Sequence, residues 1–135
     1  MRLVTWMTLD GDGGMSCAET VPKTILVERT QRLLADRAHV ARSWWARMVG
    51  LLNRSSLPPG EALIFPGCQS IHTVGMRFAI DVIFINRQWR VVSLQPAIPP
   101  GRFLLSAWNA WGVVEMTSGT LDRVELQIGD QLRVT

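Results

Sequence analysis

The segment Phe78-Ala79-Ile80-Asp81-Val82-Ile83-Phe84-Ile85 constrains this chain more than any other. Its apolar residues fall at odd and even positions alike, and a strand turns successive side chains to opposite faces. Such a strand is central and buried. Asp81 breaks the pattern, and a carboxylate at that position must be hydrogen-bonded, paired with a cation, or neutral. One reading makes it a structural acceptor for backbone N–H groups or for an arginine such as Arg77 or Arg47. The other makes it a general acid/base or a ligand-binding group. Glu115, inside Val113-Val114-Glu115-Met116, raises the same alternatives. If both carboxylates entered one cavity, they would form an arrangement used for acid/base chemistry or metal binding.

The rest of the sequence bounds what can surround that strand. With 135 residues, 47% apolar and 19% charged, the chain has the size of one domain with one core and is not disordered as a whole. Thr24–Thr30 has strand character, and a second strand is expected to run on to Ala41. An apolar arc of Val40, Ala41, Trp44, Trp45, Met48, Val49, Leu51 and Leu52 then predicts one amphipathic helix, with Ser43 as its N-cap. Pro59-Gly60, Pro66-Gly67 and Pro100-Gly101, with Asn86-Arg87-Gln88, Ser118-Gly119 and Gly129-Asp130, punctuate the remainder. Between them lie strand candidates at Ala62–Phe65, Gln69–Val74, Phe78–Ile85, Trp89–Leu94, Val113–Met116 and Gln131–Val134. The expected fold is α+β and mainly β, a compact, mostly antiparallel sheet or small barrel with one main helix packed against it.

Residues 1–22 read as a flexible leader and 23–135 as a single domain, with Met1, Met7 and Met15 all usable as starts. Met1–Leu9 is too short and too polar for a signal peptide or a membrane span, which points to a cytoplasmic protein without membrane insertion. Asp10-Gly11-Asp12-Gly13-Gly14 resembles a calcium loop only at its start. Val21 stands where the bidentate Glu belongs. Two cysteines, Cys17 and Cys68, supply no disulfide framework.

Cys68 and His72 suggest a nucleophile and base or a metal pair. In an extended chain, however, they would stand about 13 Å apart along one face, so only a bend near Gly67 would join them. Ser70 shares that face. Of the six tryptophans, Trp44 and Trp45 read as helix packing. Trp108 and Trp111, in Ser106-Ala107-Trp108-Asn109-Ala110-Trp111-Gly112, leave open a stacking surface for a peptide, sugar or base. The chain has no CxxC, HExxH, GxSxG or phosphate-cradling glycine pattern. No metal or cofactor is expected.

The net charge of +3 is unevenly spread. Residues 21–54 hold seven basic side chains against Glu28 and Asp36, whereas residues 55–135 have six of each sign. Arg42, Arg47 and Arg54 in that basic stretch form a possible docking surface for an acidic partner. Nothing in the overall balance requires nucleic acid.

An ordered series of motifs resembles the prokaryotic domain of unknown function 192, the UPF0127 family, from about Leu33 to Thr135. It runs through Arg47-Met48-Val49-Gly50-Leu51-Leu52, Leu57-Pro58-Pro59-Gly60, Cys68-Gln69-Ser70-Ile71-His72-Thr73 and Met76–Phe84. Val113–Gly119 and Ile128-Gly129-Asp130 complete it. The resemblance implies a compact, largely β fold with a helix against it and leaves function open. Two departures, Ala79 and Val74-Gly75, give a smaller wall beside His72 and Asp81.

These features favour a non-enzymatic binding or accessory module whose small polar-lined cavity, around His72, Asp81, Glu115, Cys68 and Ser70, takes a small ligand or a protein segment. One alternative is a metal- or thiol-assisted hydrolase using Cys68, His72, Asp81 or Glu115. A second is nucleic-acid or acidic-partner binding through residues 21–54.

Overall fold

The computed structural model describes residues 21–41 and 55–135, together with the backbone of two short strands, β1 (Trp6–Leu9) and β2 (Met15–Ala18), which pair antiparallel. Within the expected single domain follow β3 (Lys23–Val27), β4 (Arg32–Val40), β5 (Glu61–Pro66), β6 (Ser70–Ile71), β7 (Ile80–Ile85) and β8 (Val91–Ile98). The chain continues through β9 (Leu105–Ser106), β10 (Gly112–Thr117), the short helix α1 (Thr120–Val124) and β11 (Leu132–Val134). The fold is α+β and mainly β, as expected. The main helix read from Ser43 onward lies outside the described residues.

Seven strands form one sheet in the order β11-β3-β4-β5-β10-β7-β8. All neighbours are antiparallel except β4 and β5, whose parallel pairing sets Arg37 beside Glu61 and His39 beside Leu63. The sheet curls until its two edge strands meet. Arg90 and Gln131 form an antiparallel bridge, and the Val91 N–H donates to Asp130 O at 2.9 Å while the Leu132 N–H donates to Trp89 O at 2.9 Å. Asp130 locks this seam by accepting from Arg29 Nε at 2.7 Å, from Arg29 Nη2 at 3.0 Å and from the Gln127 N–H at 2.9 Å. The Arg29 bond is the main reason that the Asp130 carboxyl lies below its ordinary value. The Gln127 N–H adds to the shift and burial opposes it.

The strands have two cores rather than one. Inside the curl, Ile25, Leu34, Ile64, Ile83, Val114 and Leu132 pack with α1 residues Leu121 and Val124. On the outer face of β5, β10 and β7 a second cluster gathers Leu63, Phe65, Ile80, Val82, Phe84 and Val113. Ile71, Met76 and Ala110 cover it from the layer that holds β6 and β9. This double cover explains why all six residues of β7 are buried.

Local chemistry adjusts several strand boundaries. The stretch expected over Gln69–Val74 keeps only two strand residues, because Thr73 ties the chain to the Pro99–Arg102 turn. Its hydroxyl donates to Pro99 O at 2.8 Å and accepts from the Arg102 N–H at 2.9 Å. Strand β8 starts later and runs longer than Trp89–Leu94. Trp89 sits in the turn at φ 61°, while Pro96 and Ala97 are accommodated as a bulge on an edge strand.

Candidate functional site

Asp81 is 1% exposed and fully engaged with the backbone. Its Oδ1 accepts from the Ala97 N–H at 2.8 Å and its Oδ2 from the Leu121 N–H at 2.9 Å. Both donors need an external acceptor. Ala97 sits in the bulge at φ 49°, which turns its N–H out of the ladder. Leu121 is in the first turn of α1, whose N-cap, Gly119, has no side chain to offer. Asp81 thereby ties β7, the β8 bulge and the start of α1 together, in keeping with the structural-acceptor reading. The acceptors are backbone N–H groups, not Arg77.

Asp81 and Glu115 do not meet. Asp81 pairs across the ladder with Met116, an inner-core residue, whereas Glu115 pairs with Val82 and Leu63 of the outer cluster. Directly opposed residues share a face, so the two carboxylates project to opposite sides of the sheet. A cavity containing both is excluded by register. The neighbours of Glu115 are instead Glu61 and His39. Leu63 pairs with His39 on one side and Glu115 on the other, and Glu61 lies two positions before it on the same face of β5. Glu61 is the diagonal neighbour of both His39 and Glu115, about 7–8 Å from each, while His39 and Glu115 stand two strands apart, about 10 Å. All three side chains are buried, with His39 and Glu61 at 5% exposure.

Cys68, Ser70 and His72 do come together. They line one cavity of about 280 Å³, walled by Phe103 and Leu104. Gly67, which precedes Cys68, turns the chain from β5 into this segment in the left-handed region at φ 74°. Ser70 is exposed, Cys68 and His72 are half-buried, and Cys68 is a free thiol. Phe103 and Leu104 are 85% and 66% exposed. Thr73 positions both walls by joining the chain after His72 to the turn before Phe103.

A larger cavity of about 570 Å³ adjoins it, lined by the Asn86–Gln88 turn and by Trp108, Asn109 and Trp111. Gly67 and Gln69 line both. Arg42, Arg47 and Arg54, read as a docking surface, lie outside the described residues. Among the described residues no three His, Cys, Asp or Glu side chains converge to hold a metal ion, and no helix is long and apolar enough to cross a membrane.

Sequence reasoning missed His39, Glu61, Thr73 and Asp130. For His39 and Glu61 the missing knowledge was the parallel register of β4 and β5. Asp130 carried a signal, since Gly129-Asp130 was recognisable as a turn, but its arginine partner is 101 residues away.

A curled, mainly β sheet with a second layer over its outer face defines the class of protein. The DUF192 profile, described as "Uncharacterized ACR", matches residues 25–134, and the chain belongs to that family. A UPF0127 protein of Thermococcus sibiricus is 28% identical over 113 residues, which are 80% of this chain and 73% of that protein. Another UPF0127 protein, from Pyrococcus furiosus, is 38% identical over 63 residues, or 47% of this chain and 53% of that protein. Two crystal structures share the fold. A protein of unknown function from Novosphingobium aromaticivorans superposes with a TM-score of 0.70 at 21% identity, covering 97% of this chain and 94% of that one. A candidate transcription regulator from Sinorhizobium meliloti gives 0.71 at 19% identity, covering 83% and 91%.

Proposed function

We propose that this protein is a non-enzymatic binding or accessory module, with a small ligand held between Cys68, Ser70 and His72 and the apolar wall of Phe103 and Leu104. The convergence of these three polar side chains on one cavity of about 280 Å³ carries the reading. A few placed polar groups beside apolar surface is the usual composition of a ligand pocket. Asp81 supports it by elimination, because both carboxylate oxygens serve backbone donors. The test is a fragment screen followed by amide-resolved NMR on the full chain. Saturable shifts are expected at Gly67–His72 and Leu104, weakened by His72→Ala. A screen that moves none of those amides refutes the proposal.

One observation favours the thiol-assisted hydrolase as a second reading: Cys68 and His72 line the same cavity. Alkylation by iodoacetamide separates the two. A hydrolase requires a Cys68 thiol that reacts at neutral pH faster than free cysteine and slows on His72→Ala. A binding module requires neither.

A further inference from the structure

We propose that the cavity of about 570 Å³ bordered by Trp108 and Trp111 binds a neutral saccharide. The site goes beyond the Cys68–His72 cavity and involves different side chains, although Gly67 and Gln69 border both. Trp108 is 90% exposed at its edge, so core packing does not account for its position. Trp111 is the fixed aromatic. It packs on the inner core, its ring meets Trp89 edge-on with centroids 6.3 Å apart, and its backbone N–H donates to Ile85 O at 2.7 Å. One solvent-facing and one anchored indole suit the apolar C–H face of a pyranose ring.

The polar lining suits hydroxyl groups. Besides Arg87 it holds four carboxamides, Gln69, Asn86, Gln88 and Asn109. A carboxamide offers donor and acceptor together, as does a sugar hydroxyl. The Asn86 oxygen already accepts from the Gln88 and Arg90 N–H groups at 3.0 Å each, which pins its turn and leaves its NH₂ to donate. The Gln69, Gln88 and Asn109 side chains make no hydrogen bond among the described residues.

Charge separates a sugar from the other stacking ligands. No carboxylate lines the cavity, and its one cation, Arg87, lies over the Trp111 ring at 5.9 Å. Single-stranded nucleic acid requires a positively charged groove to follow its backbone, and a lone arginine engaged with an indole does not make one. An uncharged, hydroxyl-rich ring satisfies both the indoles and the amides.

The experiment titrates the full chain with maltopentaose, cellopentaose, chitopentaose and mannopentaose, and with adenosine and uridine as competitors for the stacking surface. The indole N–H signals of Trp108 and Trp111 are followed by NMR. At least one sugar is expected to shift both signals saturably, with a dissociation constant of about 1 mM or tighter. Trp108→Ala, at an exposed position, should weaken that binding about tenfold, and Gln69→Ala together with Asn109→Ala should do likewise. Phe103→Ala, on the other cavity, should leave it within about twofold. The proposal is overturned if no sugar moves either indole, if Trp108→Ala binds as tightly as the parent, or if a nucleoside binds more tightly than every sugar. Shifts confined to Gly67–His72 would support the first cavity and count against this one.

Discussion

The two faces of the β5-β10-β7 ribbon treat buried polar groups differently. Toward the inside of the curl, Asp81 is held by two backbone N–H groups at 2.8 and 2.9 Å, and its neighbours Ile83 and Ile85 are apolar. Toward the outside, His39, Glu61 and Glu115 occupy one patch, under a layer whose rim carries Cys68, Ser70 and His72. The inner face uses a carboxylate as a structural joint. The outer face buries a titratable patch beneath a layer whose rim opens onto a cavity. A buried carboxylate alone therefore does not mark a site; what it accepts from, and on which face, decides.

The comparison is sharpest at Asp81. Asp81→Asn places a donor NH₂ against one of two backbone N–H groups and should destabilise the protein by about 3 kcal/mol, measured by urea unfolding. A loss below about 1 kcal/mol would break the assignment of Asp81 as a joint. Thr73→Val is the outer-face counterpart. It removes a hydroxyl that satisfies Pro99 O and the Arg102 N–H, at a cost of about 2 kcal/mol. The expected signature is local, with hydrogen exchange rising at Gly101 and Arg102 more than at β7 amides. Uniform acceleration across β7 would show that the outer layer is not a separate unit.

The smallest effect concerns the seam. Because Asp130 has a depressed pKa, its contribution is complete above the ordinary carboxylate range and is lost as pH falls below about 4. Asp130→Asn should flatten the acid side of the stability profile, most visibly in the loss between neutral pH and pH 3. An unchanged acid limb would transfer that dependence to other carboxylates.

Much of this was legible in the residues. The apolar run of Ile80–Ile85, broken only by Asp81, announced a doubly covered strand, and the chemistry of a buried carboxylate put backbone donors among the alternatives for Asp81. The donors themselves were not legible, since the Leu121 N–H is 40 residues away and α1 is too short to show a helical period. Nor could alternation within β7 and β10 reveal that Asp81 and Glu115 project to opposite faces of the sheet. Each strand shows its own phase, and only the ladder register relates the two. Cys68, Ser70 and His72 were legible as alternate residues on one face; the Phe103–Leu104 wall that makes a cavity of that face is brought in by the Thr73 clamp. Trp108 and Trp111 were legible as a stacking pair, as was the adjacent Asn109, but Gln69, Asn86 and Gln88 come from segments distant in sequence.

The seam also bears on how the molecule assembles. Thr24 and Thr135 exchange both backbone hydrogen bonds, at 2.8 and 3.0 Å, and β11 borders β3 on its outer side. Until residues 132–134 exist, one flank of β3 stays bare. A nascent chain therefore carries an open β3 edge from the time that strand is made until residues 132–134 follow, and strand-to-strand sticking between molecules is easiest at such an edge. Closure is a late, long-range event of the kind that slows folding.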